Sequence, residues 1–110
     1  MGGSQVIPYD WESVGVTFVK RGGYYVALEA MGIEFAADYG VRDYCVITLT
    51  DDQVIRVAGV TRYGTRAGLL YLLNNPNIFD LSGDRVLLLG WVDTNGNGLV
   101  ELEEVFVLMS

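Results

Sequence analysis

The residues best equipped for chemistry lie together near the end of the chain, in the stretch DTNGNGLVELEE at 93–104. Oxygen-bearing groups recur there at alternate positions: Asp93, Asn95 and Asn97, the peptide carbonyl of Leu99, then Glu101, with Glu104 closing the run. Carboxylates, amide oxygens and a peptide carbonyl are the ligands a hard cation such as calcium takes, six to eight at a time. Gly98 stands where a chain wrapping an ion must turn sharply, and only glycine turns that way without a Cβ clash.

The stretch satisfies D-x-[DN]-x-[DN]-G-x5-E, and in this it resembles the EF-hand calcium loop, including the loops of extracellular modules such as dockerins. The resemblance covers about twenty residues. It implies Ca2+ held by Asp93, Asn95, Asn97, Leu99 through its carbonyl, Glu101, and Glu104 as a bidentate carboxylate. Val92, Val100 and Val105 supply the apolar flanks. No second copy of the loop occurs, although EF-hands usually pair. The incoming RVLLLGWV reads as readily as a strand as it does as a helix, and a strand-framed loop loses the helix-opening switch of calcium sensors. The plainer alternative is a polar hairpin turn, since NGNG is strong turn chemistry. A turn, however, does not require an Asp and a Glu eleven residues apart. Only Asp93, Glu101 and Glu104 are anionic, which points to weak binding, roughly the 10⁻⁴ to 10⁻³ M class of extracellular modules.

Little else in the chain suits catalysis. Histidine is absent from the 110 residues, so the commonest general base and transition-metal ligand are both missing. The single cysteine, Cys45, lies in the apolar run YCVITL and reads as a buried, inert thiol. Carboxylate pairs such as Asp10 with Glu12, or Glu29 with Glu34, read as solvated acids unless the fold brings them together in a cleft. Trp11, Trp91 and the Tyr24–Tyr25 pair suit either core packing or a platform for sugar rings, as in calcium-bearing carbohydrate-binding modules, and packing is the favoured reading.

Composition bounds the remaining possibilities. Fourteen acidic against seven basic residues give a formal charge of −7, which repels phosphate backbones and anionic membrane surfaces. No apolar run approaches the roughly 20 residues of a membrane span. The opening MGGSQVIPYD does not read as a signal peptide. Apolar residues make up 51% of the chain and charged ones 19%, more apolar surface than one small core absorbs, so self-association is expected.

The elements that must position the loop read as mainly β. VGVTFVK (14–20) reads as a strand followed by the turn RGG. Residues 24–39 are ambiguous, with ALEAM favouring helix and the alternation of IEFAADY favouring strands; the balance tips to strands. YCVITLT, DD and QVIRVAGVT form a hairpin. TRAGLLYLLNNPN predicts a short helix over about 65–75, with Thr65 as N-cap, Leu69, Leu72 and Leu73 at helical spacing, and Pro76 beyond its end. DLSGD then turns the chain into RVLLLGWV.

Residues 1–110 are thus expected to form one domain, a small sandwich or barrel-like sheet with one short helix, ending in the calcium-loop segment 91–110. The alternative is a ferredoxin-like βαββαβ fold if 24–39 is helical. The functional expectation is a non-enzymatic, self-assembling structural subunit stabilised by calcium, extracellular, at a cell surface or in a virion. A calcium-bearing module for carbohydrate or another small ligand is the alternative.

Overall fold

A computed structural model describes residues 11–49, 55–77 and 85–109, and among these described residues it has seven strands and one α-helix. A single-turn helix at Trp11–Val14 leads into β1 (Val16–Arg21), β2 (Tyr24–Ala30) and β3 (Ile33–Ala36), which form one antiparallel sheet in that order. β4 (Arg42–Leu49), β5 (Ile55–Gly59), β6 (Arg85–Val92) and β7 (Val105–Met109) form a second antiparallel sheet in the order β5-β4-β6-β7. Helix α1 (Arg62–Asn74) lies on the second sheet, against β4, β5 and β6.

The mainly β, sandwich-like expectation with one short helix holds. Residues 24–39 are not helical, which removes the ferredoxin-like alternative. The cause is local: Met31 and Gly32 both take left-handed φ values, +56° and +74°, and make a two-residue turn between Ala30 and Ile33. Such turns match the twist of the flanking strands. Gly22 and Gly23, at φ +61° and +86°, do the same between β1 and β2, where RGG marked a turn.

β4 organises the core because it is buried on both faces. Val46 looks toward the first sheet with Val16, Leu28, Ala30, Ala58, Val60 and Leu88. Cys45 and Ile47 look toward the helix with Leu72 and Leu89. A strand covered on both sides reads as a continuous apolar run rather than an alternation, as YCVITL does.

The helix differs from expectation at its start and on its face. It begins at Arg62, with Thr61 rather than Thr65 as N-cap; the Thr61 hydroxyl oxygen accepts from the Tyr63 N–H. Thr65 lies inside the first turn, where its Oγ1 accepts the Gly59 N–H at 3.1 Å. Pro76 does lie just beyond the end, after the C-cap Asn75. Of the three leucines only Leu72 is buried; Leu69 and Leu73 are 50% and 79% exposed. The buried stripe is Gly64, Ala67, Gly68 and Leu72. Small residues let the helix axis approach the sheet so closely that a Cβ on Gly68 would strike the Cys45 sulfur.

Asp10, the Asp51–Asp52 turn and the DLSGD turn lie outside the described residues, as does the side chain of Glu12. Among the described residues no helix is long and apolar enough to cross a membrane.

Candidate functional site

Residues 93–104 form the connection of the β6–β7 hairpin, which closes at the Trp91–Val105 pair. The incoming segment is a strand, and the outgoing one is a short 3-10 turn, Leu102–Glu104, running into β7. The loop is anchored to the β3–β4 link, because the Asp93 N–H donates to the Val41 carbonyl at 2.8 Å.

Inside the loop the expected ligand residues fall into two groups. Asp93, Asn95, Asn97 and Glu101 meet through the turn itself. Asp93 Oδ2 accepts the Gly98 N–H at 2.7 Å, and Gly98 has φ +73°, the conformation its position demanded. Asn95 Oδ1 accepts from the Asn97 N–H at 3.2 Å, and Asn97 Oδ1 from the Leu99 N–H at 3.0 Å. The two amide nitrogens donate to Glu101 Oε1, at 2.7 Å from Asn95 and 3.3 Å from Asn97. Leu99 itself is 56% exposed.

Glu104 stands apart and faces inward. Its Oε2 accepts the Thr94 N–H at 2.8 Å and the Thr94 hydroxyl at 3.0 Å. Its Oε1 accepts the Trp91 indole N–H and the Glu101 N–H, each at 3.3 Å. A carboxylate offers about four lone-pair sites, and four donors occupy them. Burial opposes ionisation of Glu104, but the donors of Thr94, with those of Trp91 and Glu101, outweigh it and hold the carboxyl below its ordinary range.

The loop therefore fits a cation in part. Asp93 Oδ1 is buried with no hydrogen-bond partner among the described residues, an acceptor left open where a first ligand belongs. Glu104, committed to protein donors, does not fit the role of bidentate closing ligand in this arrangement. Among the described residues no group of three or more acidic, histidine or cysteine side chains is placed to hold a metal.

The Glu104 contacts have a pH signature. A carboxyl with a lowered folded-state pKa contributes stability that is present above the unfolded-state value and lost as pH falls through the folded one. Glu104→Gln should therefore lower Tm at neutral pH by roughly 5 °C, the scale of one lost charge-assisted hydrogen bond in a domain this size. The gap to the parent should close on acidification below the ordinary glutamate range. Melting curves across that range test it, and a gap that does not narrow in acid would remove the ionised hub.

Trp91 joins this loop to a second feature. It is fully buried, its ring stacks on Tyr63 at 5.4 Å between centroids and 2° between planes, and Tyr63 meets Tyr39 edge-on at 5.1 Å. Tyr39 lines a groove of about 630 Å³ between the start of β2 and the N-terminal end of α1. Tyr24 and Tyr25 line it as well, with Val26, Ala37 and Val60, and Asp38, Thr61 and Arg62 complete it. Of the residues weighed as a sugar platform, Trp11 and Trp91 are core, while Tyr24 and Tyr25 line this groove. Tyr39 and Arg62 escaped sequence reasoning, because Arg62 reaches the groove from a separate element, α1, and meets Tyr39 only in the folded chain.

The remaining candidates lie on the surface or in the core. Glu29 and Glu34 are direct cross-strand partners on the exposed part of β2 and β3, and Glu34 pairs with Arg21 at 3.3 Å. Cys45 is buried, and desolvation pushes its thiol far up, with the nearby Asp43 charge adding to the effect. A thiol held protonated is a poor nucleophile.

No family model matches this chain, and neither a curated protein nor a solved structure matches it.

Proposed function

We propose that this chain is a non-enzymatic structural subunit that associates with copies of itself through the outer edge of β7, which pairs with no further strand among the described residues. The observation that carries the reading is the chemistry of that edge. Free strand edges are templates for further pairing, and proteins blunt them with charge, proline, bulges or brevity. β1 carries Lys20, Arg21 and a bulge at Val19/Lys20; β3 has four residues, one of them Glu34; β5 carries Arg56 and lies under α1. β7 is VFVLM, with no charge and no proline, and its pairing with β6 stays regular from Val105 to Val107, before a shift at Leu88/Leu89. Phe106 and Val107 are 41% and 45% exposed.

Calcium enters this reading as an ion at the loop that leads into β7. Asp93, Asn95, Asn97, the Leu99 carbonyl and Glu101 would hold it, and Glu104 would join only by exchanging its donors. The weak affinity expected from three anionic residues suits a permanently filled site at a cell surface, outside the cell or on a virion.

Light scattering after size exclusion tests both parts, in millimolar calcium and then in chelator. The parent should run as a multimer, Val107→Lys as a monomer with an unchanged melting temperature, and Asp93→Ala should lose any effect of calcium. A parent that stays monomeric at every concentration removes the association reading. Calcium that stabilises Asp93→Ala as much as the parent removes the ion site.

A second reading, a module binding carbohydrate or another small ligand, is favoured by the groove beside Tyr39. Its volume lies within the roughly 300–1,000 Å³ range of ligand pockets.

A further inference from the structure

We infer that the Tyr24–Tyr25–Tyr39 groove is a binding site for a neutral, hydroxylated ring, a pyranose unit of a glycan. The inference rests on the binding-module reading and is independent of association through β7.

Two of the groove's rings, Tyr25 and Tyr39, are held by other rings. Tyr25 meets Phe18 edge-on at 6.1 Å, and Phe18 meets the nearly buried Trp11 at 6.0 Å. Tyr39 rests on Tyr63, which stacks on Trp91. Rings fixed in this way lose little conformational freedom when a ligand arrives, so more of the contact energy appears as affinity. Val26, Ala37 and the buried Val60 supply an apolar lining.

The polar groups decide the class of ligand. One acid, Asp38, and one base, Arg62, line the groove, so its formal charge is zero. An anionic ligand would meet a protein of net charge −7, and the cations beside the groove among the described residues are already engaged with its rings. The Arg62 guanidinium stands 5.5 Å from the Tyr39 centroid and 5.4 Å from that of Tyr63. Lys20 likewise stands 5.5 Å from the Tyr25 ring, so a ligand cation would compete with the protein's own. A pyranose meets both conditions. Its C–H face lies against tyrosine rings, whose bodies are apolar and whose hydroxyls are polar. Its hydroxyls donate to the Asp38 carboxylate and accept from the Arg62 guanidinium, which carries donors only.

Backbone amide NMR with maltotriose, cellotriose and chitotriose in turn, each to millimolar concentration, tests the assignment, with indole as a comparison probe. At least one saccharide should give saturable shifts at residues 24–26, 37–39 and 60–62. Tyr24→Ala should weaken binding roughly tenfold, the scale of one aromatic contact. Tyr24 is 74% exposed, so the variant should fold as the parent does. Leu73→Ala, on the outer face of α1, should bind as the parent does. Silence with all three saccharides, or shifts that Tyr24→Ala leaves unchanged, overturns the inference. Indole binding in the groove without saccharide binding overturns it too, while leaving the binding-module reading in place.

Discussion

Replacing Asp43 with alanine should lower stability by about 3 kcal/mol or more, from a total that for domains of this kind is roughly 5–15 kcal/mol. Asp43 has no exposed surface, and it ties the start of β4 to the start of α1. Its Oδ1 accepts the Tyr44 N–H at 2.7 Å, its Oδ2 accepts the Thr61 N–H at 3.2 Å, and the Thr61 hydroxyl donates to it through a short contact. The Gly64 N–H in the first helical turn is a further donor. Alanine would strand these donors in the interior and remove a negative charge from the positive end of the helix dipole. Urea denaturation of parent and variant measures the loss, and a variant within 1 kcal/mol of the parent would show that the contacts are not used.

The same carboxyl has a pH dependence opposite to that of Glu104. Burial raises its pKa, and the hydrogen bonds from Thr61, Tyr44 and Gly64 only partly offset that. A raised folded-state value means that its contribution is complete below the unfolded-state pKa and declines as pH rises through the folded one. The deficit of Asp43→Asn relative to the parent should therefore be largest in acid and narrow toward neutral pH. The deficit of Glu104→Gln should run the other way.

The second large effect is expected at Gly59, the last residue of β5. A Cβ there would clash with the backbone nitrogen of Thr65 and stand 2.7 Å from the Gly64 Cα. Backbone in the first turn of α1 cannot rotate aside as a side chain can, so Gly59→Ala must lift the helix from the sheet. Overpacking of this kind costs about 3 kcal/mol or more when the obstacle is rigid. It should also open the Gly59 N–H to Thr65 Oγ1 hydrogen bond. Leu73→Ala, at the same helix but 79% exposed, is the control and should be nearly neutral. Equal melting temperatures for Gly59→Ala and Leu73→Ala would mean that the helix is not seated as described.

Local chemistry was legible wherever one segment carries its own signal. The apolar run YCVITL marked a strand, RGG marked a turn, and Pro76 marked the end of the helix. The 93–104 loop was legible to the level of its backbone, with Gly98 turning where the spacing required and Asp93 capping that turn. What failed was any judgement that needed to know what lies opposite. Leu69 and Leu73 have the spacing of a buried face, yet the helix turns its glycines to the sheet, because Gly59 and Cys45 leave room only for small residues there.

Thr65 and Thr61 are both plausible caps by type. Asp43, eighteen residues before Thr61, chose between them by accepting from the Thr61 N–H and hydroxyl. At the candidate site Glu104 too takes its partners from elsewhere in the hairpin. Its position in the sequence makes it a closing ligand, whereas the indole of Trp91 and the donors of Thr94 draw its carboxylate into the hairpin. The groove was invisible for the same reason, since Val60 and Arg62 join Tyr24, Tyr25 and Tyr39 there from another part of the chain, and Phe18 and Tyr63 hold two of its rings. Sequence by itself determined the class of fold, the RGG turn and the loop's backbone, because those depend on neighbours along the chain. Tertiary structure decided which carboxylates, leucines and tyrosines are spent inside and which are offered outside, because burial and hydrogen-bond partners are set across the sheets.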